Sequence, residues 1–160
     1  MTNICYFWKT HHPFSQWHPS VFTVDGVQYN CCEQYMMARK ALLFNDQTTY
    51  NKIMSASSPA RQKALGRKVS PYDDQTWVKH REQIIFDGNY AKFSQNEELK
   101  KFILDTGDST IAEASPYDKI YGIGLTEEQA LTGQKWQGLN LLGVCLENVR
   151  QKLRNESLTA

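Results

Sequence analysis

Apolar and polar residues follow two different periods along this chain, and the two periods separate short strands from longer helices. Segments 4–8 and 110–114 have the length and apolar content of single strands. Segments 22–24 and 27–29 flank Asp25-Gly26, a dipeptide that is typical of a tight hairpin turn. The sequence therefore predicts a small antiparallel sheet built on this hairpin.

Apolar residues spaced three or four apart predict helices over most of the remaining chain. Several of these segments begin with residues that cap helices well. The balance predicts an α+β fold that is mainly α-helical, in a single compact domain over 1–155, with a C-terminal tail at 156–160. The predicted helices are one that carries Glu33 and Lys40 and ends near Phe44, then 46–55, 58–69, 73–93, 95–105, one that starts at Thr126, and one from Asn140 through Leu153.

Composition is typical of an ordinary globular protein. Of the 160 residues, 41% are hydrophobic and 22% are charged, and the net charge is +1. This balance gives no overall attraction for nucleic acid or membranes, although a local basic patch is compatible with it. No apolar run approaches the roughly 20 residues of a membrane-spanning helix, and the first residues lack a signal-peptide pattern. We therefore expect a monomer in the cytoplasm, or in the nucleus if the source is eukaryotic.

The cysteines could form disulfides, and the cysteines and histidines together could bind a metal ion. The four cysteines have no framework spacing, which predicts reduced thiols. No CxxC or HExxH spacing is present, so the sequence predicts neither a metal site nor a cofactor. The residues concerned are Cys5, Cys31, Cys32, Cys145, His11, His12 and His18.

The helix that follows the hairpin contains the most informative pair of residues. Glu33 and Lys40 are seven positions apart, so a helix places them on one face, two turns apart. Met36 and Met37 lie between them on an otherwise apolar stripe. The simplest explanation is a helix whose charged residues reach solvent. The alternative is a general acid/base and an amine in a catalytic pocket.

A second group of residues surrounds a Gly-x-Gly segment. Glu113 ends a predicted strand, a proline turn leads to Asp118, and Tyr121 precedes Gly122 and Gly124. The tyrosine could stack on a base or sugar, and the glycines could let the backbone approach a ligand. The third glycine of a dinucleotide fingerprint is missing. An ordinary connection with glycine turns explains the segment equally well.

Two further segments could contact phosphate. Trp136 lies just before the last predicted helix, whose free N–H groups favour an anion, although a tryptophan that staples the helix entry is the simpler interpretation. The basic residues near 61–68, which include Arg67, could also hold phosphate. A solvated basic face explains that run as well.

Taken together, these segments resemble the NADAR family of YbiA-like proteins, some of which are described as N-glycosidases. The match is collinear and extends from Tyr6 to about Leu153. Two positions depart from the family pattern: Gln16 replaces the usual Asn, and Tyr121 replaces the usual Trp. The matching pieces include Pro13-Phe14-Ser15, Glu33-Gln34-Tyr35-Met36 with Lys40-Ala41, Leu65-Gly66-Arg67, Lys92-Phe93, Glu113-Ala114-Ser115-Pro116 with Asp118, Gly122-Ile123-Gly124 and Trp136-Gln137-Gly138-Leu139-Asn140.

The resemblance implies hydrolysis of an N-glycosidic bond between ribose and an exocyclic amine. Family substrates include ADP-ribose on guanine and ribosylaminopyrimidine phosphates of the riboflavin pathway. We expect Lys40 to act as amine nucleophile or cation, Glu33 as general acid/base and Asp118 as a second carboxylate. The residues expected to bind substrate are Phe14, Ser15, Arg67, Glu113, Tyr121, Gly122, Gly124, Trp136 and Asn140.

The sequence therefore leaves three functions open. The first is removal of ADP-ribose from guanine in nucleic acid or nucleotide, without a cofactor. The second is cleavage of ribosylaminopyrimidine phosphates. The third is a binding module for ADP-ribose or NAD without turnover, which would not need Glu33 and Lys40 together. A purely structural protein would leave the Gly-x-Gly and carboxylate segments without a purpose.

Overall fold

The computed structural model describes residues 3–159 and confirms a mainly α-helical α+β fold. Contacts divide the chain into two units. We call residues 16–96 the central unit, and residues 3–15 with 97–159 the terminal unit. The central unit contains β2 (Phe22–Val24), β3 (Val27–Tyr29), α1 (Cys32–Leu43), α2 (Gln47–Ser55), α3 (Pro59–Gly66) and α4 (Asp74–Gln95). The terminal unit contains β1 (Ile4–Phe7), α5 (Glu97–Asp105), β4 (Thr110–Glu113), α6 (Glu127–Leu131) and α7 (Leu141–Thr159).

Two strand pairs are present within the described residues. β2 and β3 form the predicted antiparallel hairpin, with Phe22 opposite Tyr29. Asp25 and Gly26 both have positive φ angles, +50° and +80°, which matches the backbone twist of a two-residue hairpin turn. β1 and β4 pair in parallel, with Ile4 opposite Thr110. The sequence predicts both of these strands but does not predict that they pair.

The helix starts follow from local side-chain hydrogen bonds. Asp46, Ser58, Asp73 and Thr126 each accept a backbone N–H from the first turn of the following helix. Pro59 occupies the first turn of α3, where a missing N–H costs nothing. α7 continues to Thr159, so residues 156–159, which the sequence predicts as a tail, are helical. The prediction of one domain over 1–155 stays a prediction.

Helix α1 is the centre of the central unit. All residues from Cys32 to Ala38 are buried, although the helix carries a glutamate and a glutamine in that span. Neighbouring helices approach it closely at glycines. A Cβ on Gly66 of α3 would lie 1.9 Å from Met37 Sδ, and one on Gly88 of α4 would lie 2.7 Å from Tyr35 Cδ1. Helices α3 and α4 therefore pack tightly against α1 at Met37 and Tyr35.

Candidate active site

Glu33 lies in the first turn of α1 and is almost fully buried, with 3% of its surface exposed. Its backbone N–H donates to the Gln16 carbonyl at 3.0 Å. The Trp17 indole Nε1–H donates to Glu33 Oε1 across 3.4 Å. A carboxylate at the start of a helix is also favoured by the helix dipole. The Glu33 carboxylate is therefore buried and hydrogen-bonded, and it does not lie on a solvent-exposed edge of the helix.

Lys40 lies in the last turn of α1, half-buried between two aromatic rings. Its Nζ is 4.8 Å from the Tyr72 ring centre and 5.6 Å from the Trp77 ring centre. Burial lowers the pKa of Lys40 below that of a free lysine, since desolvation disfavours the ammonium form. Arg67 lowers this pKa further, while Glu33 and Asp74 raise it. The amine is thus biased toward the neutral form that a nucleophile requires.

The exposed face of α3 carries positive charge beside Trp17. Lys63 places its Nζ 5.9 Å from the Trp17 ring centre. Arg67 follows one turn later, at the C-cap of the same helix, and is exposed. Residues four apart share a helix face, so these two cations are neighbours. The predicted basic cluster is therefore present, next to the tryptophan that contacts Glu33.

Lys92 of α4 is a second buried amine in the central unit, and its side chain is fully buried. Desolvation lowers its pKa, while the Cys32 and Cys31 thiols raise it. Burial in turn raises the pKa of Cys32 to about 12, so this thiol stays protonated at neutral pH. Cys32 Sγ is also 3.5 Å from Asn89 Oδ1. Lys92 therefore lies beside the residue that precedes Glu33.

In the terminal unit, Asp118 closes a turn. Its Oδ1 accepts the backbone N–H groups of Ile120 at 2.9 Å and Tyr121 at 2.8 Å. This is the local side-chain to backbone pattern that aspartate favours in turns. The geometry accounts for an aspartate at this position without a catalytic role. Its expected function as a second carboxylate stays a prediction.

Asn140 joins β4 to the start of α7. The buried side chain, 3% exposed, accepts the Glu113 N–H at Oδ1 (3.1 Å) and donates from Nδ2 to the Ile111 carbonyl (2.9 Å). Its φ angle of +53° lies in the left-handed region that asparagine tolerates well. Asn140, which is expected to bind substrate and cap α7, therefore acts as a clamp between β4 and the start of α7. Its backbone carbonyl accepts the Val144 N–H.

Replacing Asn140 with alanine is expected to destabilise the protein by about 2–4 kcal/mol. The change leaves a buried N–H and a buried C=O of β4 without their partners, and each costs roughly 1–3 kcal/mol. Urea denaturation followed by circular dichroism measures the loss. Asn148→Ala, at an exposed position of α7, is the matched control and should change stability by less than about 0.5 kcal/mol. Equal effects of the two variants would contradict the clamp.

The Gly-x-Gly segment packs against protein backbone. A Cβ on Gly122 would lie 2.9 Å from the Asp118 carbonyl oxygen and 3.0 Å from that of Glu113. Gly124 has a φ of +73°, and a Cβ there would lie 3.1 Å from Lys119 Cγ. These contacts and angles explain the two glycines without a ligand, and their expected close approach to a ligand stays a prediction. Nearby backbone oxygens favour glycine at position 122, and the positive φ angle favours it at position 124.

The aromatic residues expected to bind substrate differ in their surroundings. Trp136 is partly buried against the cluster around Ile123, which agrees with the simpler interpretation of a packing residue. Phe14 is fully buried and packs edge-on against Phe7 and Phe102, at 5.6 and 5.3 Å between ring centres. Phe14 is therefore a core residue of the terminal unit, and its expected contact with substrate stays a prediction. Tyr121 keeps a partly exposed position.

Ser15 and Glu113 complete the expected set. The Ser15 N–H donates to the His12 carbonyl at 3.0 Å, so this serine closes a turn. Glu113 ends β4, and its carbonyl accepts the Ile123 N–H at 2.9 Å. Both side chains are partly exposed. Their expected contacts with substrate stay predictions.

Among residues 3–159, no group of three or more His, Cys, Asp and Glu side chains could hold a metal ion. The cysteines at positions 5, 31, 32 and 145 are free thiols. No helix in the described part of the chain is long and apolar enough to cross a membrane.

Comparison with known proteins identifies the family. The model of the NADAR domain matches residues 6–154. The chain belongs to the NADAR family. It is 48% identical over 148 residues to N-glycosidase R617 of Acanthamoeba polyphaga mimivirus, a match that covers 88% of this chain and 87% of that protein. It is 33% identical over 165 residues to protein irg-1 of Caenorhabditis elegans, covering 92% and 78% of the two chains.

The NADAR fold is confirmed by a solved structure. The NMR structure of the Escherichia coli protein YbiA superposes with a TM-score of 0.83 at 27% identity, covering 100% of this chain and 90% of that one. YbiA of Escherichia coli K12 is itself named an N-glycosidase and is 29% identical over 143 residues, which cover 89% of this chain and 82% of YbiA. The predicted family and enzyme class, an N-glycosidase, are thereby confirmed.

Several residues around the Glu33 and Lys40 pair were not identified by reasoning from the sequence. Trp17, Tyr72 and Trp77 were not singled out as candidate site residues. Lys92 entered only as part of a family motif. The missed signal was an aromatic residue in each of two loop segments: Trp17 lies two residues after Ser15, and Tyr72 directly precedes Asp73, the N-cap of α4. An aromatic residue in a loop indicates that its ring packs against a specific partner.

Proposed function

We propose that this NADAR protein hydrolyses the bond between C1 of ribose and an exocyclic amine, with ADP-ribose on the amino group of guanine as the substrate. The observation that supports the proposal is the pair on α1. A buried carboxylate, Glu33, and a desolvated amine, Lys40, share one face of a buried helix. A glycosylamine of this kind is the substrate that such a pair can cleave.

The chemistry follows from the substrate. A glycosylamine opens to an iminium when the ring C–O bond breaks and the ring oxygen takes a proton from Glu33. Neutral Lys40 then adds its Nζ to C1. A proton passes from Nζ to the guanine amine, the bond between C1 and that amine breaks, and the sugar remains as an iminium on Lys40. Water adds to C1 and gives a proton back to the Glu33 carboxylate, the C1–Nζ bond breaks, and free ADP-ribose is released. The net reaction consumes one water and needs no oxidant or reductant.

Two features of the central unit support a nucleotide substrate. The Lys63 and Arg67 side chains can neutralise a pyrophosphate. Trp17 provides a planar face beside Glu33. The net charge of +1 does not favour tight binding to a long duplex, so a single strand or a free nucleotide fits better.

The test is a substrate panel. Purified protein is incubated with ADP-ribosylated guanosine, with an ADP-ribosylated guanine in a single-stranded oligonucleotide, and with a ribosylaminopyrimidine phosphate, and the released base and sugar are quantified by mass. Release of ADP-ribose from either guanine substrate supports the proposal. Turnover of the pyrimidine alone would assign the alternative function, and binding without turnover in all three would assign a binding module.

The pH dependence of kcat is expected to shift in opposite directions in two variants. Below its pKa, the neutral fraction of Lys40 grows with pH, so kcat should rise along an acid limb. Arg67 lowers this pKa, so Arg67→Gln should raise it and move the limb to higher pH. Asp74 raises the same pKa, so Asp74→Asn should move the limb to lower pH.

The measurement is kcat at saturating substrate across the pH range, because kcat reports ionisations in the enzyme–substrate complex. At neutral pH, the expected order of rates is Asp74→Asn, then wild type, then Arg67→Gln. Glu82→Gln, an exposed charge change on α4, is the control and should leave the limb in place. An acid limb that stays in place in both charge variants, with kcat instead falling as Lys40 loses its proton, would argue for direct attack by water, with Lys40 stabilising charge only.

A further inference from the structure

The amide of Asn89 in α4 is fully buried inside the central unit, and the mechanism does not use it. Its Nδ2 donates to Gln16 Oε1 at 2.9 Å and to the Ile85 carbonyl at 2.8 Å. Its Oδ1 accepts the Cys32 thiol across 3.5 Å. A buried amide costs free energy unless its polar atoms are hydrogen-bonded, and these bonds meet that need. The same bonds join α4 to α1 and to the chain before β2.

The chain that Asn89 reaches is the one that holds Glu33. The Gln16 carbonyl accepts the Glu33 backbone N–H at 3.0 Å, and Trp17 donates its indole N–H to Glu33 Oε1 across 3.4 Å. We call residues 16–17 the anchor segment. This segment belongs to no helix or strand, so no ladder of backbone hydrogen bonds fixes it. Side-chain contacts therefore decide where the Trp17 ring lies.

We propose that Asn89 is a positioning residue: by holding Gln16, it keeps the Trp17 indole on Glu33 and so fixes the carboxyl group that transfers the proton. The inference rests on the proposed function, in which Glu33 is the general acid/base. Proton transfer needs its two heavy atoms within hydrogen-bond reach. A misplacement of about 1 Å, caused by a residue away from the chemistry, can lower the rate roughly 10²-fold.

Gln62 of α3 offers a matched control, because it is a second fully buried amide with partners of the same kind. Its Oε1 accepts the Cys31 thiol at 3.2 Å. Its Nε2 donates to the Asn30 side-chain oxygen at 3.1 Å and to the Ala56 carbonyl at 2.8 Å. Neither Nε2 partner belongs to the anchor segment. Gln62→Leu should therefore lose about as much stability as Asn89→Leu and still keep its kcat.

The first experiment measures kcat at saturating ADP-ribosylated guanosine, so that a change in substrate affinity does not enter. Asn89→Leu should lower kcat roughly 10–100-fold, and Gln62→Leu should leave it unchanged. Gln16→Met removes the same hydrogen bond from its other end, at a partly exposed position, and answers the question if Asn89→Leu does not fold. The double variant should be no slower than Asn89→Leu, because both changes remove one shared contact.

A second measurement does not depend on turnover. In a proton–nitrogen correlation NMR spectrum, the indole N–H signal of Trp17 reports its hydrogen bond to Glu33, and its disappearance in Trp17→Phe assigns it. The signal should shift in Asn89→Leu and in Gln16→Met. It should stay in place in Gln62→Leu, so a general loss of packing does not produce the same result.

The outcomes separate the two proposals. If wild type cleaves neither guanine substrate, the proposed function fails, and the Trp17 signal still decides whether Asn89 holds the anchor segment. If wild type is active and Asn89→Leu and Gln62→Leu lower kcat equally, or both keep it, the positioning role is wrong while the proposed function stands. A Trp17 signal that stays in place in both Asn89→Leu and Gln16→Met also overturns the positioning role.

Discussion

Replacing Lys40 with methionine is expected to lower kcat by at least roughly 10³-fold, because the nucleophile of the covalent route is lost. Methionine keeps an unbranched side chain of similar length between the Tyr72 and Trp77 rings. It also removes the cost of desolvating an ammonium group there. The melting temperature should therefore stay the same or rise, which separates lost chemistry from lost folding. Lys52→Met, at an exposed position of α2, is the control and should keep full activity.

Borohydride reduction identifies the amine involved. With substrate and reductant together, wild type should gain one sugar-containing mass on the peptide that contains Lys40, and Lys40→Met should gain none. An adduct on the Lys92 peptide would assign the covalent step to the second buried amine, and the fully buried Lys92 would then have to become accessible during turnover. Full activity in Lys40→Met would reject both the nucleophilic and the charge-stabilising role of this residue.

Much of the fold follows from local rules that the sequence displays. Asp25-Gly26 predicts the hairpin because its turn needs two positive φ angles. The capping residues Ser58 and Thr126 mark helix starts because their side chains satisfy free N–H groups there. These signals act over a few residues, so the sequence alone exposes them.

The remaining features depend on residues that are distant along the chain. The parallel pairing of β1 with β4 joins segments about a hundred residues apart, and no local pattern encodes it. The sequence predicts that Asn140 binds substrate, and it does not predict that both amide atoms of this side chain bond to the β4 backbone. The glycines at 122 and 124 similarly permit either a ligand or a backbone to approach. A sequence motif shows which residue type a position requires. Only the three-dimensional packing shows whether a ligand or a neighbouring backbone group imposes that requirement.

The same distinction explains the outcome for the charged pair on α1. Helical spacing predicts that Glu33 and Lys40 share a face, and the structure buries the first and half-buries the second. What the spacing could not predict is the set of rings and charges that surrounds each group. Trp17 comes from a loop, while Tyr72 and Trp77 lie more than thirty residues beyond Lys40. These neighbours tune the pair, so its chemistry is decided by tertiary structure.

Replacing Glu33 with glutamine is expected to lower kcat by roughly 10²–10⁴-fold, the usual contribution of a general acid/base. Glutamine has nearly the same shape, and its Oε1 can still accept the Trp17 indole N–H. The backbone hydrogen bond to Gln16 is unaffected. Affinity for ADP-ribose, measured by calorimetry, should change little. Retained affinity for ADP-ribose together with a lost kcat identifies an enzyme that needs a proton donor. A binding module would show no turnover in wild type or in the variant.

The matched control for this variant is Glu82→Gln, which removes an exposed carboxylate from α4 and should leave kcat unchanged. If Glu33→Gln fails to fold, as circular dichroism would show, Glu33→Asp answers the same question. Aspartate keeps the negative charge at the start of α1, but its side chain is shorter by one methylene, so the carboxylate lies closer to the backbone. Proton transfer should therefore slow while the fold is retained. A folded Glu33→Gln with wild-type kcat would remove Glu33 from the reaction. Asp118 would then be the next carboxylate to test, although its Oδ1 already holds the 118–121 turn.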